Sequence, residues 1–460
     1  MSVHLGDCRP WLAAMPEASI DAIATDPPYG LAFMGREWDK ALPDPATWAE
    51  LLRVAKPGAH LVAFGHPRLY HRLAVDIEDA GWELRDCLMW LFGTGFPKSL
   101  DVSKAIDAAA GAERPVVGRG ESGRTSVLGG LAGRSGERGR GGGELVTPDA
   151  ARWSGWGTAL KPAWEPIVLA RKPLAGTVAA NVLEHGTGGI NVDGCRVGWR
   201  DESDRVAGRP ASFSRAHAGF NGEAFAIADR SHRDPVAEQS NAGRWPANVV
   251  LDEEAAARLD GETGALTSRG NIGPSIAKGP PGAAYAIGAE RPSGSEYTYG
   301  DSGGASRFFY TAKASRAERE AGLGGKRRRS SAEITGRAEG SAGSKHPRAS
   351  VTGSKRANTH PTVKPIDLMQ WLVRLVTPPG GKVLDPFTGS GTTGCAAALE
   401  GFEFAGAELS ATYAEIARAR IEHWRSVAVE RSRQLPLFDP PEPRPRAEQT
   451  GLDFAAEAAE

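Results

Sequence analysis

Residues 20–30 read Ile20-Asp21-Ala22-Ile23-Ala24-Thr25-Asp26-Pro27-Pro28-Tyr29-Gly30. The residues up to Thr25 form a short apolar run, which predicts a buried strand. The strand ends at the two prolines, because proline lacks the N–H that a sheet ladder needs. Asp26 is therefore predicted at the carboxyl end of a strand, which is where open α/β sheets place their ligand sites.

Asp26 and the residues after it favour a planar base that carries an exocyclic amine. The Asp26 carboxylate and the Pro27 carbonyl can each accept one N–H of such an amine, and the prolines keep the backbone stiff. The ring of Tyr29 provides a face on which the base can stack. The alternative is an ordinary strand-ending turn, since Asp-Pro-Pro also occurs without the aromatic residue at Asp439-Pro440-Pro441-Glu442.

A second landmark lies far along the chain, at Val383-Leu384-Asp385-Pro386-Phe387-Thr388-Gly389-Ser390-Gly391-Thr392-Thr393. It predicts a strand that runs into a glycine turn and then a helix from Thr392, so that backbone N–H groups lie close to a ligand. The next predicted strand ends at Glu408, 23 positions after Asp385, where a carboxylate can bind ribose hydroxyls. The pattern indicates a nucleoside cofactor. It lacks the Gly-Lys-Ser/Thr element of a nucleoside triphosphate loop.

The composition sets broad limits on the class of protein. The 460 residues are enough for two or three domains, and 55 Lys and Arg nearly balance 56 Asp and Glu, so net charge indicates no partner. Four cysteines without a C-x-x-C pair indicate neither a disulfide framework nor a zinc site. Neither a signal peptide nor a membrane-spanning run is recognised. We expect a soluble, cytoplasmic protein without a bound metal.

Strand-like and helix-like segments alternate over residues 1–110, which implies a doubly wound, mostly parallel sheet. Within it, Lys56-Pro57-Gly58 is predicted to end a helix over 46–54, so that the next strand begins at His60. Residues 111–145 contain 12 glycines and six arginines, a composition that predicts a flexible loop.

With both landmarks in place, the chain resembles the amino-group DNA methyltransferases that use S-adenosylmethionine, in their permuted, beta-type order. The Asp-Pro-Pro-Tyr motif comes first, a variable target-recognition region second and the cofactor motif last. The segment His360-Pro361-Thr362-Val363-Lys364-Pro365 is similar to one that these enzymes carry before the cofactor strand, and Gly6-Asp7-Cys8 resembles their motif near the cofactor adenine. The resemblance implies a circularly permuted, seven-stranded sheet of the S-adenosylmethionine methyltransferase type.

The resemblance also implies a role for each site residue. The flipped target base would be held by Asp26, Pro27, Pro28 and Tyr29. Asp7 would contact the cofactor adenine, Glu408 the ribose and Lys364 the methionine end. The remainder of the cofactor pocket would be lined by Asp385, Phe387, Gly389, Ser390, Gly391 and Thr392.

We divide the chain according to this resemblance. The segments are a catalytic half at 1–110, a flexible Gly/Arg-rich loop at 111–150, the last strands of the catalytic half at 151–172, a loop-rich target-recognition insertion with a basic linker at 173–357, a cofactor-binding half at 358–430 and a disordered tail at 431–460.

The implied reaction is direct transfer of the methyl group to an exocyclic nitrogen of a base flipped out of double-stranded DNA. Within the family, aspartate at the first motif position is commoner in adenine-N6 enzymes, so Asp26 favours adenine, with cytosine N4 as the alternative. Methylation of a cytosine ring carbon is set aside, because none of the four cysteines follows a proline. An RNA or protein methyltransferase and a catalytically inactive DNA-binding protein are the competing interpretations.

The chain shows no endonuclease motif, so a solitary, a phage-derived and a restriction-modification enzyme all stay open. Near its end, the Gln434-Leu435-Pro436-Leu437-Phe438 peptide resembles the motif by which bacterial replication proteins dock on the sliding clamp. Gln434, Leu435, Leu437 and Phe438 would make that contact. The alternative is that these apolar side chains fold back onto the enzyme itself.

Overall fold

The structure is a computed structural model, and it describes residues 1–32, 36–93, 95, 99–114, 146–199, 204, 243–267, 302–313, 315–330, 333–334 and 355–434. The chain divides into two compact units, one formed by Met1–Trp90 with Glu165–Glu460 and the other by Leu91–Trp164. The predicted clamp-binding residues after Gln434 and most of the predicted target-recognition insertion lie outside the described residues, so both stay predictions.

The larger unit is built on one mixed sheet. The strands of the described residues are β1 (Ser2–Leu5), β2 (Ile20–Thr25), β3 (Ala55–Phe64), β4 (Glu83–Leu91), β5 (Trp164–Arg171), β6 (Val249–Asp252), β7 (Leu266–Thr267), β8 (Ser302–Gly303), β9 (Tyr310–Ala312), β10 (Lys382–Asp385) and β11 (Glu403–Glu408). Nine of these form the sheet in the order β1-β11-β10-β2-β3-β5-β4-β6-β9, and β7 and β8 pair separately.

Helices connect these strands. They are α1 (Cys8–Ala13), α2 (Pro45–Val54), α3 (Tyr70–Asp79), α4 (Val102–Ala109), α5 (Pro148–Arg152), α6 (Val178–His185), α7 (Glu253–Thr263), α8 (Arg316–Glu320), α9 (Ile366–Val376), α10 (Thr392–Glu400) and α11 (Ala411–Gln434). The last helix is longer than predicted, since it continues to Gln434 instead of ending near Val429. Among the residues that the structure describes, no helix is long and apolar enough to cross a membrane.

The mostly parallel α/β fold predicted from the sequence is confirmed. Five of the strand pairs are parallel, and β3 pairs with β5 in the antiparallel sense. The described sheet has nine strands where seven were predicted. The two additional strands, β6 and β9, pair in parallel at one edge and come from the region predicted to be a loop-rich insertion. Both are only three or four residues long, which is why no strand pattern was recognised in the sequence.

Strands from the first 25 residues and from residues 382–408 pair with each other in one half of the sheet. β1 pairs with β11 and β10 pairs with β2, each in the parallel sense. The carboxyl ends of β2 and β10 therefore lie side by side at one edge. This pairing places Asp26 and Asp385 together, as the predicted arrangement of the two motifs requires.

Alternate residues of the central strands enter two apolar clusters. On β3, Val62 and Phe64 enter the cluster that includes Trp371 of α9, whereas Leu61 and Ala63 enter the cluster that includes Trp48 of α2. Side chains on a strand point alternately to opposite faces, so each cluster occupies one face of the sheet. Helices thus cover both faces, which is the doubly wound arrangement that was predicted.

The helix before Lys56-Pro57-Gly58 ends at Val54, as predicted, but the prediction that the next strand begins at His60 is wrong. These residues belong to β3, which follows α2 without a break. Proline is tolerated there because the ladder between β2 and β3 is interrupted: Ile20 pairs with Ala55, but Ala22 pairs with His60. The extra residues form an irregularity at which Pro57 does not need to donate to β2.

The smaller unit, Leu91–Trp164, contains α4 and α5, which are joined through a buried carboxylate. Asp107 accepts hydrogen bonds from the Thr147 hydroxyl at 2.7 Å, the Arg114 guanidinium at 2.6 Å and the backbone N–H groups of Val146 and Thr147. Burial raises the pKa of Asp107, but these donors outweigh it and lower the pKa to about 2. Asp107 thereby fixes residues on both sides of the Gly/Arg-rich segment.

Replacing Gly58 by alanine tests the irregularity in β3. Gly58 has a left-handed φ of 76°, and a Cβ there would overlap Nδ2 of Asn181 and meet Leu174 at 3.0 Å. Asn181 cannot move freely, because it donates to the carbonyls of Pro57 and Thr187 at 2.9 and 2.7 Å. We predict that Gly58→Ala lowers the free energy of unfolding by about 3 kcal/mol, measured by urea denaturation.

Gly176→Ala is the matched control for that substitution. Gly176 has a similar φ of 85°, but nothing lies within 4 Å of a Cβ built on it. The control therefore reports only the strain of a left-handed backbone, about 1 kcal/mol. Equal losses for the two variants would show that the contact with Asn181 is not restrictive.

Candidate active site

A buried carboxylate holds the turn that follows β2. The backbone N–H groups of Tyr29 and Gly30 both donate to Oδ1 of Asp39, at 2.6 and 3.2 Å. Asp39 lies on the short 3-10 helix Glu37–Asp39 and is buried. Gly30 has a left-handed φ of 69°, which favours glycine. Asp39 thus fixes the direction in which Tyr29 leaves the end of the strand.

Four polar side chains meet at the strand end. The Tyr29 hydroxyl donates to Oδ1 of Asp26 at 2.7 Å and lies 3.3 Å from Oε2 of Glu165. The Lys364 ammonium lies 3.0 Å from Oδ1 of Asp26, 3.0 Å from Oε2 of Glu165 and 2.9 Å from the Tyr29 oxygen. Oδ2 of Asp26 makes no such contact with any residue that the structure describes. We call Asp26, Tyr29, Glu165 and Lys364 the carboxylate–lysine cluster.

Burial and the charge of the ion-pair partner oppose each other in shifting the pKa values of Asp26 and Lys364, but burial and charge act together on the pKa of Tyr29. Burial raises the pKa of Asp26, and the Lys364 ammonium only partly offsets this effect. Burial lowers the pKa of Lys364, but the carboxylates of Asp26 and Glu165 outweigh it, so that the pKa rises. Burial, followed by the two carboxylates, raises the pKa of Tyr29 well above its usual value. Lys364 is therefore a cation and Tyr29 a neutral donor at neutral pH.

A hydrogen bond links this strand end to the second motif. The Thr25 hydroxyl donates to Oδ1 of Asp385 at 2.7 Å. Asp385 also accepts from the Thr393 hydroxyl at 2.6 Å and from the backbone N–H of Phe387 at 3.1 Å. Burial raises the pKa of Asp385 to about 6, although these donors favour the carboxylate. Asp385 is 2% exposed and shapes the turn from inside, and its expected place in the cofactor pocket stays a prediction.

Glu408 lies against the glycine turn, as predicted. Its Oε2 accepts the backbone N–H of Gly389 at 2.9 Å, and its Oε1 accepts that of Ser410 at 2.8 Å. Burial raises the pKa of Glu408 to about 7, despite these two donors. A Cβ on Gly389 would meet the ring of His360 at 2.9 Å. Glycine at this position therefore lets the turn pack closely against that ring.

The side chains of Ser390 and Thr392 contact Arg420, and their expected part in the cofactor pocket stays a prediction. Both are buried, and both hydroxyl oxygens lie within hydrogen-bonding distance of the Arg420 guanidinium, at 3.0 and 3.3 Å. Arg420 also donates to the Ser390 carbonyl at 2.6 Å. A Cβ on Gly391 would meet Ala417 at 2.9 Å. These residues fasten the glycine turn to α11.

Asp7 and Lys364 also make contacts within the protein, and their expected roles at the cofactor stay predictions. The Asp7 carboxylate caps α1 and pairs with Arg9 at 2.8 Å, close to the point where β1 ends beside Glu408. Lys364 was expected at the methionine end of the cofactor, but its ammonium lies in the carboxylate–lysine cluster. Among the described residues, no group of His, Cys, Asp and Glu side chains is arranged to hold a metal ion.

Three residues of this site were not predicted from the sequence. They are Asp39, Glu165 and Arg420. Each is a single charged residue without a motif around it, and each reaches the site only through the tertiary fold. His360 was predicted as part of a motif, but its packing on Gly389 and its edge-on contact with Tyr413, with ring centroids 4.7 Å apart, were not.

The raised pKa of Glu408 predicts a pH dependence of stability. Glutamate ionises near 4.5 in an unfolded chain and near 7 here, so between these values the folded protein binds more protons. Raising the pH through this window therefore destabilises the fold. With allowance for partial exposure, we predict that the stability of the wild type relative to Glu408→Gln falls by about 2 kcal/mol across it. Urea denaturation at a series of pH values measures this difference, and a constant difference would contradict the prediction.

Comparison with known proteins identifies part of the chain. Residues 310–419 match the family model N6_N4_Mtase, which is described as DNA methylase. The matched segment contains Lys364, Asp385 and Glu408, and Asp26 lies outside it.

Similarity to individual proteins is limited to short segments. The chain is 44% identical over 68 residues to the type II methyltransferase M2.DpnII of Streptococcus pneumoniae, covering 15% of this chain and 25% of that protein. It is 40% identical over 63 residues to the DNA adenine methyltransferase YhdJ of Escherichia coli (strain K12), covering 14% of this chain and 21% of that protein. The matches thus span a quarter or less of these curated relatives.

Among solved structures, the alignment with M1.HpyAVI covers 91% of this chain and 98% of the M1.HpyAVI chain, with 12% identity and a TM-score of 0.36. The similarity to DNA methylases rests on the match to the family model and not on this structural likeness. Residues 310–419 of this chain are therefore similar to the N6/N4 DNA methylase family.

Proposed function

We propose that this protein transfers a methyl group from S-adenosylmethionine to the exocyclic N6 amine of adenine in double-stranded DNA. The observation that carries the proposal is the 2.7 Å hydrogen bond between Thr25 and Asp385, which joins the amine-binding strand end to the glycine turn. The DNA methylase match over residues 310–419 supports it independently. The similarity to a relative named as a DNA adenine methyltransferase favours adenine over cytosine.

The residues around the glycine turn fit a nucleoside cofactor. Each oxygen of Glu408 accepts one backbone N–H and retains a lone pair for a ribose hydroxyl. The turn leads into α10, whose first backbone N–H groups have no partner within the helix. When bound, S-adenosylmethionine supplies the sulfonium methyl group that the reaction transfers.

Asp26 and Pro27 would hold the amine for attack. Oδ2 of Asp26, which has no partner in the described part of the chain, accepts one N–H, and the Pro27 carbonyl accepts the other. The nitrogen lone pair then forms the bond to the methyl carbon, and the electrons of the broken C–S bond stay on sulfur. The methylated amine releases a proton to Asp26. Rate enhancement comes mainly from this alignment and from exclusion of water.

A methyl-transfer assay tests the proposal. Wild-type protein and Asp26→Ala are incubated with labelled S-adenosylmethionine and unmethylated DNA, and the DNA is digested to nucleosides. We expect label in N6-methyladenine, reduced at least about 100-fold in the variant, because the variant cannot hold the amine. Cofactor binding is measured separately by equilibrium dialysis and should be retained in the variant.

The other outcomes discriminate between functions. Label in N4-methylcytosine would keep the reaction and replace the base. Transfer to RNA or protein instead of DNA would contradict the proposed substrate. DNA binding without any transfer, while the cofactor binds normally, would identify an inactive DNA-binding protein.

Asp39 offers a second test, because it holds the backbone of Tyr29 without contacting the proposed substrate. We predict that Asp39→Ala lowers kcat by about 10- to 100-fold and leaves cofactor affinity unchanged, since a small displacement of the base-binding turn is enough to disturb alignment. Glu37→Ala is the matched control. Glu37 lies on the same short turn but is exposed and pairs with Lys40. Equal activity of the two variants would show that the Asp39 contact does not position the site.

A further inference from the structure

The carboxylate–lysine cluster contains more negative charge than the proposed handling of the amine alone requires. Lys364 is only 8% exposed, and the three acceptors around its ammonium match its three N–H groups. One of these acceptors is Asp26, and the second carboxylate is Glu165. With both carboxylates ionised, two negative charges face one positive charge, which leaves a net charge of −1.

That balance matters because the amine becomes positive during the proposed reaction. The nitrogen gains positive charge as its lone pair bonds to the methyl carbon, and charged groups act strongly in a site that excludes water. Asp26 paired with Lys364 alone would be a neutral ion pair. Much of the attraction that the carboxylate exerts on the developing charge would then be cancelled by the ammonium beside it.

Glu165 is held in place by rigid elements. It lies near the start of β5, on the same face of the strand as Ile167 and Leu169, which pack in the apolar cluster together with Phe64. Lys364 directly precedes the N-cap of α9, which belongs to the same cluster. The approach of the two side chains is therefore fixed by the sheet and the helix that covers it.

We propose that Glu165 is a positioning residue that balances the charge of Lys364, so that Asp26 acts on the amine as a carboxylate with uncompensated charge. Lys364 and the Tyr29 hydroxyl bind Oδ1 of Asp26, Glu165 contacts both of those groups, and Oδ2 of Asp26 is left to the substrate. This inference rests on the proposed methyl transfer, and it assigns a function to a residue outside the motifs.

Restoring the charge in a second variant distinguishes this role from simple packing. Glu165→Gln makes the cluster neutral, and we expect kcat to fall by about 10- to 100-fold at saturating cofactor and DNA. Adding Lys364→Met removes the opposing cation and returns the net charge to −1 at a pH at which Asp26 is ionised. Because Lys364 lowers the pKa of Asp26, kcat of every variant is compared at the high-pH plateau of its pH profile. We expect the double variant to be at least about fivefold more active than Glu165→Gln, since Asp26 is again uncompensated.

A purely structural role of Glu165 predicts the opposite order. In that case removing Lys364 as well takes away a further contact, and the double variant is no more active than Glu165→Gln. Glu184→Gln is the control, since Glu184 is exposed near the end of α6 and lies 3.8 Å from Nε2 of His185, away from the carboxylate–lysine cluster. Thermal denaturation and cofactor dialysis for every variant confirm that folding and cofactor binding are retained.

The result also separates this inference from the proposed function. Wild-type transfer together with an unchanged kcat in Glu165→Gln overturns the role of Glu165 and leaves the methyltransferase intact. Wild-type protein that binds the cofactor but transfers no methyl group overturns both.

Discussion

The hydrogen bond between the Thr25 hydroxyl and the Asp385 carboxylate is the contact on which the site depends. Both residues end parallel strands that lie side by side, and both are buried. The other end of this strand pair is also fixed by a carboxylate, since Asp21 accepts the backbone N–H of Lys382 at 2.8 Å. Any shift of β10 against β2 would break both contacts. The two halves of the proposed site are therefore held in a fixed register.

Asp385 and Asp26 show how position determines what a buried carboxylate can do. Asp385 accepts bonds from neutral donors on both oxygens, so its capacity is used to shape the turn. Asp26 is bound by the Tyr29 hydroxyl and the Lys364 ammonium through one oxygen only. Burial raises the pKa of both groups, but only Asp26 retains an oxygen without a partner among the described residues. That difference suits one carboxylate to structure and the other to chemistry.

The central strands of the sheet could be predicted from the sequence because their apolar runs end at prolines or glycines. β2 and β10 were predicted to within one residue, and the motif at Asp26 followed from the same signals. Glu165 and Lys364 could not be paired in this way, since they lie 136 and 335 residues from Tyr29. A single acidic residue in a strand has no local signature. Its function becomes visible only when the fold brings opposite charge beside it.

The two strands that pair with β2, namely β3 and β10, are synthesised at very different times. β3 is the next strand of the chain after β2, but Asp385 of β10 is 360 residues away from Thr25. During synthesis, β2 therefore has one unpaired side until β10 has been made, 360 residues after Thr25. Closing so long a loop costs only slightly more free energy than closing a shorter one, because the entropic cost of closure rises slowly with loop length. The delay instead favours aggregation. An incomplete sheet with an apolar open edge can pair with other chains before its own last strands have been made.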